Sequence, residues 1–123
     1  MELNDVIQFA NQNPVASVAT VEGNQPRVRL FAMWFADPTG FYFHTGSMKN
    51  IYKQLKANPK IEVAFYKPGS APSDPGRMMR VSGAVEFVHD KKLEERLMND
   101  RPFLKDIIKK APAGSNWEIN IFR

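Results

Sequence analysis

The residues with the strongest chemical signal lie in the segment FYFHTGSMKNIYKQLKANP, residues 41–59. Thr45 and Ser47 offer hydroxyl groups, and Lys49 follows them in the first turn of a predicted helix. Acidic residues are usual there, because the first-turn N–H groups carry partial positive charge. Ser47 is the predicted N-cap of this helix. A lysine in the first turn adds repulsion unless an anion is bound, so the segment favours a phosphate-binding site.

Two arginines on a preceding strand segment, RVRLFAMWF (Arg27–Phe35), strengthen this interpretation. Alternation places Arg27 and Arg29 on one face, and two guanidinium groups can bind one anion in a bidentate manner. Lysines on helices and alternating arginines on strands are also common as solvated side chains without a ligand. The residues alone leave both interpretations open.

Length and composition limit the remaining possibilities. With 123 residues and 43% hydrophobic content, the chain is predicted to form a single domain over residues 1–123. The absence of cysteine excludes disulfides and thiolate metal sites, and His44 and His89 share no metal-binding spacing, so no metal is predicted. No window approaches the ~20 apolar residues of a membrane span. The polar N-terminus is unlike a signal peptide, and we expect a cytoplasmic protein. A net charge of +4 favours anionic partners.

Hydrophobic periodicity predicts a β-rich α+β fold. Helices are expected near residues 3–13 and 47–57, with one or two helical pieces before residue 110, broken at Pro102. Six strand-like runs, mostly linked by hairpins, are residues 15–20, 27–35, 41–44, 60–66, 77–88 and 117–123. Gly23–Asn24 is expected to form a tight turn, and Gly83 a bulge or sharp bend. Together the runs predict an antiparallel barrel with peripheral helices.

An ordered set of motifs, QPRVR, FYFHTGSMK, QLKANPKIEVAFY and RVSGAVEFV, resembles the pyridoxamine 5'-phosphate oxidase-like family of FMN-binding split barrels. The resemblance covers about residues 13–90. It implies a homodimer of six-stranded antiparallel split β-barrels with FMN in a cleft at the dimer interface. It also implies that Arg29, Thr45 and Lys49 bind the FMN phosphate with Ser47 beside them, and that the backbone from Arg29 to Phe31 runs along the flavin ring. The other lining residues that it implies are Arg27, Leu30, His44 and Asn50.

Three positions depart from the family's pattern. Trp34 stands where authentic pyridoxamine phosphate oxidases carry a lysine, Met48 replaces an arginine, and Met78 replaces a glutamine. We therefore do not expect oxidation of pyridoxamine phosphate. The resemblance favours an FMN-dependent oxidoreductase whose substrate and catalytic residues are not assigned. A small-molecule substrate or redox partner would reach the exposed flavin face, with the loop Lys67–Gly76 as a candidate gate.

The sequence leaves alternative roles open for some side chains and alternative functions open for the protein. His44 either donates a hydrogen bond to the flavin or packs in the protein, and Trp34 or Trp117 is a core residue or a wall of the cleft. The same fold accommodates a deazaflavin cofactor, nitro-compound reduction, or flavin binding without catalysis. A basic barrel with FYFH aromatic residues would also suit nucleic acid, with a steep salt dependence of affinity. Nucleic acid is disfavoured because the basic residues cluster at one strand–helix corner.

Overall fold

The computed structural model describes residues 2–47, 49–109 and 119–123. Within these residues the chain forms four helices: α1 (Leu3–Gln12), α2 (Asn50–Ala57), α3 (Lys91–Asp100) and α4 (Phe103–Lys109). It also forms eight strands: β1 (Val15–Glu22), β2 (Gln25–Ala32), β3 (Phe35–Asp37), β4 (Gly40–Gly46), β5 (Lys60–Lys67), β6 (Arg77–Ala84), β7 (Phe87–Val88) and β8 (Ile119–Phe122). No helix in this described part is long and apolar enough to cross a membrane.

The first antiparallel sheet has the strand order β2-β1-β5-β6. A two-residue turn joins β1 to β2, and Gly23 takes a φ of 64° there, as the predicted tight turn requires. Burial alternates along β1, with Ala16, Val18 and Thr20 directed inward. Val18 pairs with Arg29 on β2, so the register aligns Arg29 with the inward residues of β1.

The second antiparallel sheet has the order β3-β4-β8-β7. The chain passes from the first sheet to the second at Met33 and Trp34: the Met33 N–H donates to the Pro14 carbonyl at 2.8 Å and the Trp34 N–H to the Tyr42 carbonyl at 2.9 Å. The single strand predicted over residues 27–35 is therefore two strands. The side-chain alternation continues through residues 27–35, but the strand ends because the backbone changes its pairing partner at this point.

The predicted strand over residues 77–88 is also two strands, but the break is not at the glycine. Gly83 pairs regularly with Ile61 within the β5–β6 ladder, so the bulge predicted there is wrong. The ladder ends after Ala84, where the Val85 N–H donates to the Pro59 carbonyl and Glu86 exchanges backbone hydrogen bonds with Arg123. The described strands form two four-stranded sheets, and closure into a six-stranded barrel is not confirmed.

Two groups of apolar side chains hold the elements together. The main core lies under α1 and α2 and includes the fully buried Phe43, Phe65 and Val18. A second group, built from Tyr42, Leu97, Leu104 and Ile121, attaches α3 and α4 to β4 and β8. Truncating a buried Phe to Ala typically costs about 3–5 kcal/mol. These two groups therefore set the positions of β4 and α4, which border the site described below.

The helix ends test the predicted N-cap and the predicted break at Pro102. Ser47 is not the N-cap of α2, because the Lys49 N–H donates to the Gly46 carbonyl at 3.0 Å and the helix begins only at Asn50. This tight turn delays the start of the helix, so Lys49 itself takes the N-cap position, without a side-chain capping bond. At α3 the Asp90 carboxylate accepts from the Lys92 N–H at 2.9 Å. The predicted break near Pro102, between α3 and α4, is confirmed.

Candidate cofactor-binding cleft

A cleft of about 560 Å³ opens where β2, β4, the start of α2 and α4 meet. Its lining combines basic, hydroxyl, aromatic and aliphatic side chains and has no carboxylate among the described residues. We call this feature the cleft. The described lining residues are Arg29, Leu30, Phe31, His44, Thr45, Gly46, Lys49, Asn50, Ile51, Phe103, Leu104 and Ile107.

Most of the residues predicted from the sequence lie in this lining. They are Arg29, Leu30, Phe31, His44, Thr45, Lys49 and Asn50. Arg27 is outside the lining: its Nη2 atom lies 3.1 Å from Glu22 Oε1, and both side chains are about half exposed. Ser47 lies in the turn after β4, outside the described lining. The roles of Arg27 and Ser47 in binding a ligand stay predictions.

The Arg29 side chain is held by three neutral acceptors on two elements, β1 and α2. Its guanidinium donates to Thr20 Oγ1 at 2.7 Å, to Gln54 Oε1 at 2.5 Å and to the Val18 carbonyl at 3.3 Å. Thr20 and Gln54 are buried, with exposed fractions of 2% and 5%. Burial, and then repulsion from Arg27, lower the pKa of Arg29 from its ordinary value. The guanidinium nevertheless stays protonated at neutral pH, and its hydrogen bonds give it a defined orientation in the cleft.

Gln54 is a site-related residue that the sequence analysis missed. It lies on α2 between the buried Ile51 and Leu55, and its Nε2 donates to Glu22 Oε2 at 3.1 Å. This bond, and then Arg27, lower the pKa of the Glu22 carboxyl. A buried glutamine on the apolar side of an amphipathic helix was the only available signal, since buried amides need partners.

The start of α2 adds positive charge to the same end of the cleft. Lys49 is exposed, the first turn of α2 contains no acidic residue, and Asn50 begins the helix. The free N–H groups of a first helical turn and a nearby ammonium group both favour an anion. Thr45, with an exposed fraction of 6%, closes this end from the β4 side.

The lining of the cleft also has an apolar part, which comes partly from α4. Phe31, Ile51, Phe103 and Ile107 contribute to it, and the last two are 54% and 43% exposed despite their size. Sequence reasoning missed α4 because more than fifty residues separate it from Lys49 along the chain. The only local signal was an apolar pair four positions apart on a short helix.

His44 lies in the cleft in contact with an arginine that the sequence analysis did not select. Arg101 Nη1 lies 2.6 Å from His44 Nε2, and the same guanidinium donates to the Met33 and Ala32 carbonyls at 3.1 and 3.3 Å. Burial, and then the charge of Arg101, lower the pKa of His44 from 6.5 to about 4. His44 is therefore a neutral imidazole at physiological pH.

Two of the three positions that depart from the family's pattern, Trp34 and Met78, belong to the described residues, and both lie outside the described lining of the cleft. Trp34 Nε1 donates to Asp100 Oδ2 at 3.0 Å, and Trp34 is not in the described lining. Met78 is 61% exposed on the first sheet. Met48 and Trp117 lie outside the described residues. The loop Lys67–Gly76 borders a different part of the first sheet and does not line the cleft in the described part.

The donor set suits an anionic ligand with a flat, partly apolar body. Arg29, Lys49 and the first turn of α2 provide charge and N–H donors, and aromatic and aliphatic side chains form the rest of the lining. A flavin mononucleotide has this division between phosphate and ring. Within the described residues no group of three or more His, Cys, Asp or Glu residues could hold a metal ion.

Comparison with known proteins places this arrangement in context. No relative among the curated protein sequences matches the chain. The solved structure of a NimC/NimA family protein from Clostridium acetobutylicum matches with a TM-score of 0.74 and 24% identity, over 98% of this chain and 77% of that one. The heme storage protein HutZ from Vibrio cholerae matches with a TM-score of 0.71 and 11% identity, over 98% and 87%. A FAD-binding protein from Mesorhizobium loti matches with a TM-score of 0.65 and 16% identity, over 99% and 94%.

At these identities the structural similarity shows a shared fold. The family assignment comes from the model of the family described as pyridoxamine 5'-phosphate oxidase, which matches residues 4–118. That match spans most of the chain and confirms the resemblance found in the ordered motifs. The chain belongs to the pyridoxamine 5'-phosphate oxidase family.

Proposed function

We propose that the protein binds FMN in the cleft and acts as a flavin-dependent oxidoreductase whose substrate is not pyridoxamine phosphate. The observation that carries the proposal is that one cleft is lined both by basic groups without a carboxylate partner in the described lining and by apolar side chains. Family membership and a structural neighbour named as FAD-binding support a flavin as the ligand. The mononucleotide is proposed because a single phosphate-sized cluster of donors lines the cleft.

The phosphate is proposed to lie between Arg29, Lys49 and the start of α2. Arg29 is already oriented by Thr20 and Gln54, so little side-chain entropy is lost when an anion binds. A hydrogen bond to a charged group contributes about 1.5–3 kcal/mol. Two such contacts and the helix terminus are enough to distinguish FMN from riboflavin, which has no phosphate.

The flavin ring is proposed to lie against the apolar part of the lining. Phe31 and Ile51 would pack on one side and Phe103 and Ile107 on the other, burying the ring while one edge stays accessible to a substrate. Bound FMN supplies hydride transfer, and the protein binds it, orients it and excludes water. No described lining residue is an acid suited to proton donation, and no catalytic residue is assigned.

A second copy of the chain is proposed to complete the cleft. The outer face of the first sheet exposes large apolar side chains, including Val28 and Leu30, each 70% exposed, and Met78, 61% exposed. Large apolar side chains exposed on one sheet face favour an interaction surface. Leu30 belongs both to this face and to the cleft, so a partner seated on the sheet would also wall the cofactor. We therefore propose a homodimer with FMN at its interface.

The decisive experiment is a visible absorption spectrum of the purified protein after incubation with FMN and desalting. A retained flavin band at about one FMN per chain supports the proposal, and absence of retained flavin contradicts it. Val28→Glu tests the dimer, because a carboxylate buried in an apolar interface is costly. We expect a monomer with weakened FMN binding, while the exposed control Lys92→Glu changes neither property. A monomeric wild type with full FMN affinity would exclude the shared cleft.

Heme is the alternative ligand, because the structural neighbour HutZ is named as a heme storage protein. The described side chains favour flavin. A heme iron needs a ligand such as a neutral imidazole nitrogen, whereas Nε2 of His44 is covered by Arg101. Titration with hemin is expected to produce the same Soret spectrum in the wild type and in His44→Asn. A change in that spectrum confined to the variant would assign His44 as an iron ligand.

A further inference from the structure

Arg101 connects the turn between α3 and α4 with both sheets at one corner of the cleft. Its backbone N–H ends α3 by donating to the Leu97 carbonyl at 2.8 Å. Its side chain donates to the carbonyls of Ala32 and Met33, at the passage between the two sheets, and contacts His44 on β4. These several anchors hold the guanidinium in place, so the contact with His44 is a built feature of the fold.

The contact determines the tautomer of His44. A guanidinium can only donate, so Nε2 must accept the hydrogen bond and the ring proton must lie on Nδ1. Among the described residues Nδ1 has no hydrogen-bond partner, although His44 lines the cleft. The ring therefore has one remaining polar group, an N–H donor.

The charged groups around His44 are cationic and therefore disfavour protonation of its imidazole ring. Arg101 faces it from the α3–α4 turn, Arg29 and Lys49 share the cleft, and β8 places the apolar Ile121 beside it. Asp100, the acid nearest Arg101 in the chain, is engaged by Trp34 and by Arg96. No acid that would stabilise an imidazolium faces His44 among the described residues, so the neutral ring persists well below neutral pH.

We propose that Arg101 is a positioning residue that presents His44 to the ligand of the cleft as a neutral Nδ1–H donor. The proposal rests on the proposed function for the identity of that ligand as FMN. The class of atom recognised is a hydrogen-bond acceptor, such as a carbonyl oxygen or an unprotonated ring nitrogen. His44 is thus a ligand-binding residue whose donor proton is set by a neighbouring cation.

The tautomer can be measured without any ligand. Proton–nitrogen correlation spectra of the imidazole rings, assigned with His44→Asn and His89→Asn, should show His44 protonated on Nδ1 and unprotonated on Nε2 at neutral pH. The ring should stay neutral down to about pH 5, since its pKa is about 4. A His44 ring protonated on Nε2, or one that titrates near its ordinary pKa of 6.5, would overturn the proposal.

The functional role is tested by FMN dissociation constants for the wild type, Arg101→Met and His44→Asn across about pH 5 to 8. We expect Arg101→Met to weaken FMN binding about three- to tenfold, the effect of misplacing one neutral hydrogen bond. The ratio of its dissociation constant to that of the wild type should vary with pH, because the released imidazole can protonate. His44→Asn keeps an amide donor near the position of Nδ1 and cannot titrate, so its ratio should stay constant.

The outcomes separate this proposal from the proposed function. If the wild type binds no FMN but shows the Nδ1–H tautomer, FMN binding is wrong and the pairing of Arg101 with His44 stands. If the wild type binds FMN and the Arg101→Met ratio is one at every pH, the positioning role is wrong and FMN binding stands. Should Arg101→Met fail to fold, His44→Phe replaces it, and unchanged FMN affinity in that variant would equally overturn the proposal.

Discussion

Arg29, which lines the cleft, and Arg101, which contacts the lining residue His44, differ from the arginines of the outer surface in the partners that hold them. Arg29 and Arg101 are bound by hydroxyl, amide, carbonyl and imidazole acceptors, all neutral. On the surface, arginines pair with carboxylates at 2.7 to 3.8 Å. These surface pairs are Arg27–Glu22, Arg80–Glu62, Arg96–Asp100 and Arg123–Glu86.

The difference concerns the charge left for a ligand. A carboxylate partner both orients and neutralises an arginine, whereas a neutral acceptor orients it and leaves its charge in place. Arg27 and Arg29 are two residues apart on β2 but belong to different groups, because only Arg29 is directed inward towards Thr20 and Gln54. An anion-binding cleft requires arginines whose partners are neutral, because their charge then stays available for the ligand.

The largest expected effect on FMN binding comes from replacing one of the two arginines of β2, Arg29, by alanine. Arg29→Ala should weaken FMN binding by about 1.5–3 kcal/mol, because it removes a charged hydrogen bond to the phosphate. Arg27→Ala, the matched control, should change it little, since an exposed ion pair contributes about 0–1 kcal/mol. Calorimetric titration with FMN and with riboflavin measures both. An equal loss for riboflavin would place Arg29 away from the phosphate.

Lys49→Ala is expected to weaken FMN binding by about 1.5 kcal/mol, the lower end of the same range, because Lys49 is exposed and can be replaced partly by solvent. Lys53→Ala provides the control, since Lys53 lies on the same helix outside the described lining. Fluorescence quenching of FMN is a suitable measurement. Identical dissociation constants for these two variants would mean that the start of α2 does not bind the phosphate.

Gln54→Glu gives Arg29 a carboxylate partner, as the surface arginines have. A carboxylate against Arg29 keeps it oriented but offsets its charge, and we expect FMN binding to weaken by about 1 kcal/mol. The substitution is made together with Glu22→Gln, because Glu22 Oε2 lies 3.1 Å from Gln54 Nε2 and two carboxylates would repel each other. Glu22→Gln alone is the reference. Stronger FMN binding in the double variant would contradict the requirement for an uncompensated charge.

The smallest effect is on stability and tests the His44 corner. Because the pKa of folded His44 is about 4, below 6.5, the unfolded chain binds more protons between these values. The contribution of neutral His44 to the free energy of unfolding is therefore present above about pH 6.5 and is lost as pH falls towards 4. Urea unfolding of the wild type and His44→Asn should show a difference that declines over this window. A difference that does not depend on pH would contradict the lowered pKa.

Local patterns were sufficient for much of the fold. Helix α1, the turn at Gly23 and the break near Pro102 all follow from residues within a few positions of one another. The failures arose where a distant partner decided the backbone. The predicted strand over residues 27–35 divides because Trp34 pairs with Tyr42, and the Ser47 cap fails because the Gly46 carbonyl engages the Lys49 N–H.

The sequence by itself determined the chemical character of the cleft's positive end. The ordered motifs identified the family, and the residues around Arg29, Thr45 and Lys49 lie close in the chain or on strands whose alternation is legible. Only the tertiary structure brought α4 to the cleft, placed Arg101 against His44 and separated Arg27 from Arg29. The physical reason is that alternation specifies the face of a residue, whereas its partners come from elements packed against that face across long separations in the chain.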